Sequence, residues 1–214
     1  MLDNLKKKIK SLTEKAPTFD PASLNDEVAM KTKWNPACGG GTNVCTHRLK
    51  EISGTSVSFK PCAMAIIFPG IFMLAGLGVF CGAIYAGVVH KSDFIYFGIP
   101  FGGIFFTVGY LICRSWLVPR TFDQMEGCYW KGKGRPHHLN NKIKDKCELK
   151  EIYAIQLISE YCSGDKSSYY SYELNLVLKD GERINITDHG NKKAILEDAE
   201  KLAEFLNIPV WNAM

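Results

Sequence analysis

CAMAIIFPGIFMLAGLGVFCGAIYAGVV at positions 62–89 and FIYFGIPFGGIFFTVGYLIC at 94–113 contain no Asp, Glu, Lys or Arg, and only His90-Lys91-Ser92-Asp93 separates them. Each run meets the roughly 20 residues that a helix needs to cross about 30 Å of hydrocarbon. A link this short leaves the chain room only to turn round, so 62–113 reads as a transmembrane hairpin with both flanks on one side. Positive charge is retained on the cytoplasmic face of a membrane. Arg48, Lys50 and Lys60 precede the hairpin and Arg114, Arg120, Lys131, Lys133 and Arg135 follow it, whereas the turn offers only Lys91 beside Asp93. Multi-pass insertion with both termini cytoplasmic is therefore expected.

Outside about 50 residues of hairpin, a 214-residue chain retains enough length for one soluble domain. Its net charge of +4 is too small to imply nucleic acid as a partner. Residues 1–15 place Leu2, Leu5, Ile9 and Leu12 at helical spacing among Lys6, Lys7, Lys8 and Lys10, a basic amphipathic helix suited to an anionic leaflet or a partner helix. The same stretch is too basic and interrupted to be the apolar core of a cleavable signal peptide. Residues 16–45, with Pro17, Pro21, Pro36 and Gly39-Gly40-Gly41, read as an extended linker. No Lys-Ser/Thr follows those glycines, which removes a phosphate loop.

Eight cysteines stand at Cys38, Cys45, Cys62, Cys81, Cys113, Cys128, Cys147 and Cys162, with no Cys-x-x-Cys. Cys38, Cys45 and His47, joined by His137-His138, lack the close ligand pair of structural zinc sites. A reducing cytoplasm argues against a disulfide framework. Packed free thiols are expected, with no metal and no cofactor.

Strand signals begin at Thr46. Residues 46–52 and 56–59 form a first hairpin that leads into the membrane run, so 46–60 is assigned to the soluble domain. Residues 120–124 and 128–131 flank the turn Met125-Glu126-Gly127, and 149–161 reads as a long strand. Tyr170, Tyr172, Leu174, Leu176 and Leu178 alternate with polar residues, and Asp180-Gly181 turns the chain into 183–187. Asn191 caps a closing helix whose stripe is Ile195, Leu196, Ala199, Leu202, Ala203 and Leu206.

Seven strands and a closing helix is the element order of a pleckstrin-homology (PH) barrel. The chain resembles that superfold with the transmembrane hairpin inserted after the second strand, the remainder of the domain being 119–211. The expected class is thus an α+β membrane protein with a PH-like seven-stranded barrel. Ala199-Glu200-Lys201-Leu202-Ala203-Glu204-Phe205-Leu206-Asn207-Ile208-Pro209-Val210 resembles the closing helix of the photosystem I assembly membrane protein family. From Trp34-Asn35-Pro36 to Trp211-Asn212 the chain is similar to a family of uncharacterised bacterial two-helix membrane proteins. These resemblances, covering 46–211, imply an inner-membrane protein with an assembly or interaction role, and do not imply photosynthesis.

Within the hairpin, Gly78 and Gly82, Ala83 and Gly87, and Gly98 and Gly102 are small residues four apart, as helix packing or dimerisation requires. Both helix interiors lack the charges that ion pathways use. Lys131, Lys133 and Arg135 are candidates for contact with lipid headgroups. The polar loop with Lys166 and the following Tyr169, Tyr170 and Tyr172 have the composition of a protein-binding surface. For catalysis, Cys128 or Cys162 with His189, His137 or His138 lacks a nucleophile turn, and Asp188-His189-Gly190-Asn191 reads as a strand end and helix cap. The expected function is a non-enzymatic inner-membrane protein whose cytoplasmic domain binds an unknown protein partner or its own copy. The alternative is an immunity or accessory protein that binds a membrane-acting toxin through its hairpin.

Overall fold

A computed structural model describes residues 19–37, 39–134, 136, 146–163 and 167–214. The expected helix at 1–15 lies outside them. The chain divides into two compact units, one formed by Cys45–Lys146 and the other by the residues up to Val44 together with Cys147–Met214.

In the Cys45–Lys146 unit, β1 (His47–Ser53), β2 (Ser56–Pro61), β3 (Arg120–Asp123) and β4 (Cys128–Lys131) follow one another in an antiparallel sheet. β5 (Lys146–Glu148) falls at the boundary of the two units. Phe59, Phe122 and Tyr129 are fully buried, and the Phe122 ring lies 6.4 Å from Phe59 and 4.7 Å from Tyr129. Between β2 and β3 the chain leaves as helix Ala63–His90 and returns as Phe94–Trp116. At 1.5 Å per residue these are about 42 and 35 Å long, enough to cross a bilayer. Lys91 adopts a left-handed conformation (φ 53°) and its N–H caps the Ala86 carbonyl, which turns the chain within three residues. Val57 faces Phe122 and Phe59 faces Arg120, so the strands entering and leaving the hairpin lie side by side.

The second unit contains a short helix α1 (Glu27–Lys31); the membrane-length helices are accordingly α2 and α3. Its sheet is β6 (Ile152–Ser163), β7 (Ser168–Leu178), β8 (Arg183–His189) and β9 (Val210–Ala213), in the order β8-β7-β6-β9. α4 (Lys192–Leu206) packs on β6, β7 and β9. Asn191 Oδ1 accepts the Ala194 N–H at 3.1 Å, and Asn207 ends the helix at φ 53°. Ile195, Ala199 and Leu202 are fully buried, as the predicted stripe requires.

Among the described residues the strands form two open sheets and no closed barrel. The sequence reading misses β9. This four-residue strand follows Pro209 and runs parallel to β6, with Ile155 opposite Val210 and Gln156 opposite Trp211. It lies on the β6 edge opposite β7, and it makes the sheet mixed. Within the 16–45 stretch expected as a linker, residues 19–37 and 39–44 instead form a strap across the other sheet face. Ala29 inserts against Ala154, Val177 and Trp211, and Trp34 packs between Phe19 and Trp211 at centroid distances of 4.4 and 5.8 Å.

Candidate functional site

Strand register decides which of the candidate tyrosines share a surface. Tyr161 faces Tyr170, Ser159 faces Tyr172 and Cys162 faces Tyr169. Because side chains alternate, Tyr161, Tyr170 and Tyr172 take one face of the β6–β7 arm and Tyr169 the other. Tyr161 and Tyr170 are 39% and 49% exposed, with ring centroids 5.2 Å apart. Tyr169 is turned inward: its hydroxyl donates to the Gly41 carbonyl at 2.9 Å, tying the arm to the strap. Lys166 lies outside the described residues. The exposed aromatic pair therefore includes Tyr161, which the sequence reading leaves inside a strand, and excludes Tyr169. Only the β6–β7 pairing register signals this partner.

On the strap face, carboxylates hold main-chain amides. Both Glu173 oxygens accept the Ala37 N–H, at 3.0 and 2.9 Å, and Asn175 Nδ2 also donates to this carboxylate. Glu160 accepts from Gly40 and Gly41, each at 3.1 Å, so the glycine amides already hold an anion supplied by the chain. Gln156 Nε2 donates to the Lys33 carbonyl at 3.0 Å, and Arg183 Nη1 donates to the Asn35 carbonyl at 2.8 Å. A cavity of about 310 Å³ opens beside this frame, lined by Lys31, Lys33, Asn35, Asp180, Glu182 and Arg183. Its charges are mixed in sign. Burial and the nearby Glu160 charge push the Cys162 thiol above its ordinary range, against the Tyr169 and Gly41 hydrogen bonds. That disfavours the thiolate a nucleophile needs.

The hairpin uses its small residues unequally. Gly98 packs on Ala83 and Gly87 on Ile95, while a methyl group on Gly102 would fall 2.6 Å from the Gly76 carbonyl oxygen and 2.7 Å from Phe80 N. Gly76 and Gly109, absent from the spacing argument, make equally close contacts; a methyl on Gly76 would lie 2.5 Å from Phe106 N. Gly78 and Gly82 meet open space. Large apolar side chains such as Leu74 (73% exposed) cover the outside of the helices.

At the strand end of the hairpin, Arg120 pairs in register with Lys131, and Lys133 is exposed two residues on. Arg135 lies outside the described residues. His47, buried in the same unit, has its pKa pushed down to about 3 by burial and by the Arg120 charge, against opposing hydrogen bonds to Trp116 and Val118 main-chain groups.

No family model, curated protein or solved structure matches the chain. Among the described residues no group of three or more His, Cys, Asp or Glu side chains is placed to hold a metal ion. The chemistry present on the described surface is thus an exposed aromatic pair, a mixed-charge cavity, and a hairpin that turns apolar groups outward.

Proposed function

We propose that the protein is a non-enzymatic component of a bacterial inner membrane, held by α2 and α3 with both flanks cytoplasmic, whose soluble part binds a protein partner. The observation that carries this reading is the Tyr161–Tyr170 pair: two large aromatic rings left exposed on an otherwise ordered strand pair. Tyrosine contributes broad apolar contact at low entropic cost, and exposed clusters of it are characteristic of recognition surfaces. The outward apolar residues of α2 and α3 support membrane residence, because so large an apolar surface is unstable in water. Lys133 and its basic neighbours fit an anionic leaflet, where they orient the domain.

The test is affinity purification of the tagged chain from its native membrane, comparing wild type with Tyr161→Ser/Tyr170→Ser. A stoichiometric partner retained by Tyr169→Phe and lost with the double variant supports the proposal. A partner unaffected by the double variant overturns the assignment to this surface.

The immunity alternative is favoured by one observation, the open Gly78–Gly82 face, which offers a close approach to a helix from another molecule. Under that reading Gly78→Leu/Gly82→Leu abolishes protection against a membrane-acting toxin while the Tyr161/Tyr170 variant preserves it.

A further inference from the structure

We propose that Cys45 and Cys62 form a reversible thiol–disulfide site whose co-reactant is the disulfide of a low-molecular-weight thiol. Their sulfurs lie 2.8 Å apart, and both residues are half-buried, leaving access for a small reagent. A protein S–S bond is about 2.05 Å long, so closure requires less than about 1 Å of travel. The backbone holds the pair in place. Cys62 N donates to the Thr46 carbonyl at 2.8 Å, His47 faces Pro61 in the β1–β2 register, and Cys45 Sγ lies 3.7 Å from the His47 carbonyl oxygen. Cys62 also stands at the residue immediately before the first turn of α2. A bond between them ties the entry of β1 to the first turn of a membrane-length helix and closes the β1–β2 hairpin into a loop.

The chemistry is two successive exchanges. One cysteine, as its thiolate, attacks a sulfur of the oxidised small disulfide; a mixed disulfide forms and one small thiolate leaves. The second cysteine then attacks the protein sulfur of that mixed disulfide and expels the second small thiolate. Two S–H bonds and one S–S bond break, one protein S–S bond forms, two electrons pass to the oxidant, and the two protons end on the released thiols. Reduced thiol in excess reverses both steps. The site is independent of the partner surface proposed above, and it singles out two of the cysteines from a set whose spacing alone argues for plain packing.

The full chain in mild detergent is equilibrated with mixtures of oxidised and reduced glutathione, acid-quenched, alkylated, and digested without reduction. The expected product is an intramolecular Cys45–Cys62 peptide. Its ratio to the free peptides rises about tenfold for each tenfold increase in oxidised glutathione over the square of reduced glutathione. It disappears on addition of excess reduced glutathione, and Cys147 alkylation stays constant throughout. Cys62→Ser is expected to stop at the mixed disulfide of Cys45 with glutathione. Separate alkylation of Cys45 and Cys62 at every ratio overturns the proposal, as does linkage of either to another cysteine or between chains. The wild-type titration decides the question even if the variant fails to fold.

Discussion

Glu173 gives both of its oxygens to a single main-chain amide, and this arrangement fixes the strap where it crosses β7. Truncating it in Glu173→Ala leaves the Ala37 N–H and the Asn175 amide without that acceptor, a cost of about 1–3 kcal/mol. The expected outcome is a lower melting temperature together with earlier proteolysis near Pro36, read by limited digestion. His47 supplies a pH signature of the opposite polarity to a stabilising histidine. Its folded pKa, about 3, lies below the usual 6.5, so between these values the unfolded chain binds a proton that the folded chain does not. Stability therefore rises with pH across that window, by up to about 1.4 kcal/mol per pH unit, and is fully present above 6.5. Comparing urea denaturation at pH 5 and 7 checks this: His47→Gln is expected to flatten the dependence. Neither role was legible in sequence. Glu173 sits in a strand whose even-numbered residues are apolar, and alternation assigns it to solvent; the strap that covers it is joined by contacts more than a hundred residues apart.

At the scale of elements, the two membrane-length helices are legible in sequence because each depends only on its own unbroken apolar run. Four-residue spacing includes Gly98 and Gly102, but no local rule distinguishes Gly76, which touches α3 main chain, from Gly78, which meets open space. Gly76→Leu is expected to destabilise the hairpin by about 1–3 kcal/mol or more through overpacking, whereas Gly78→Leu leaves it intact. Thermal unfolding of the two variants in one detergent separates them. β9 is not legible in sequence, because four residues after a proline carry too little pattern and only their parallel register with β6 makes them a strand. Trp211 is its anchor, buried against Trp34 and Tyr153. Trp211→Ala is expected to cost about 3–5 kcal/mol and to loosen the strap with it, as hydrogen exchange at Ala29 and Trp34 would report.

For the whole molecule, the order of elements carried most of what the sequence could say: two strands, a helical pair, further strands and a capped helix occur as read. Closure into a barrel did not follow from that order. Which edge each strand uses is decided by long-range pairing, here the insertion of β9 beside β6. The central claim is that α2 and α3 cross a membrane and leave both flanks on the cytoplasmic side, and its most direct test is the accessibility of two epitope tags. One is inserted between Ser92 and Asp93 and the other follows Met214, each in the full chain expressed in bacteria. The chain is expected to stay in the membrane fraction on carbonate extraction, and in intact spheroplasts antibody is expected to reach the Ser92 tag, and the Met214 tag only after permeabilisation. Release of the chain by carbonate, or accessibility of the Met214 tag in intact spheroplasts, would contradict the account.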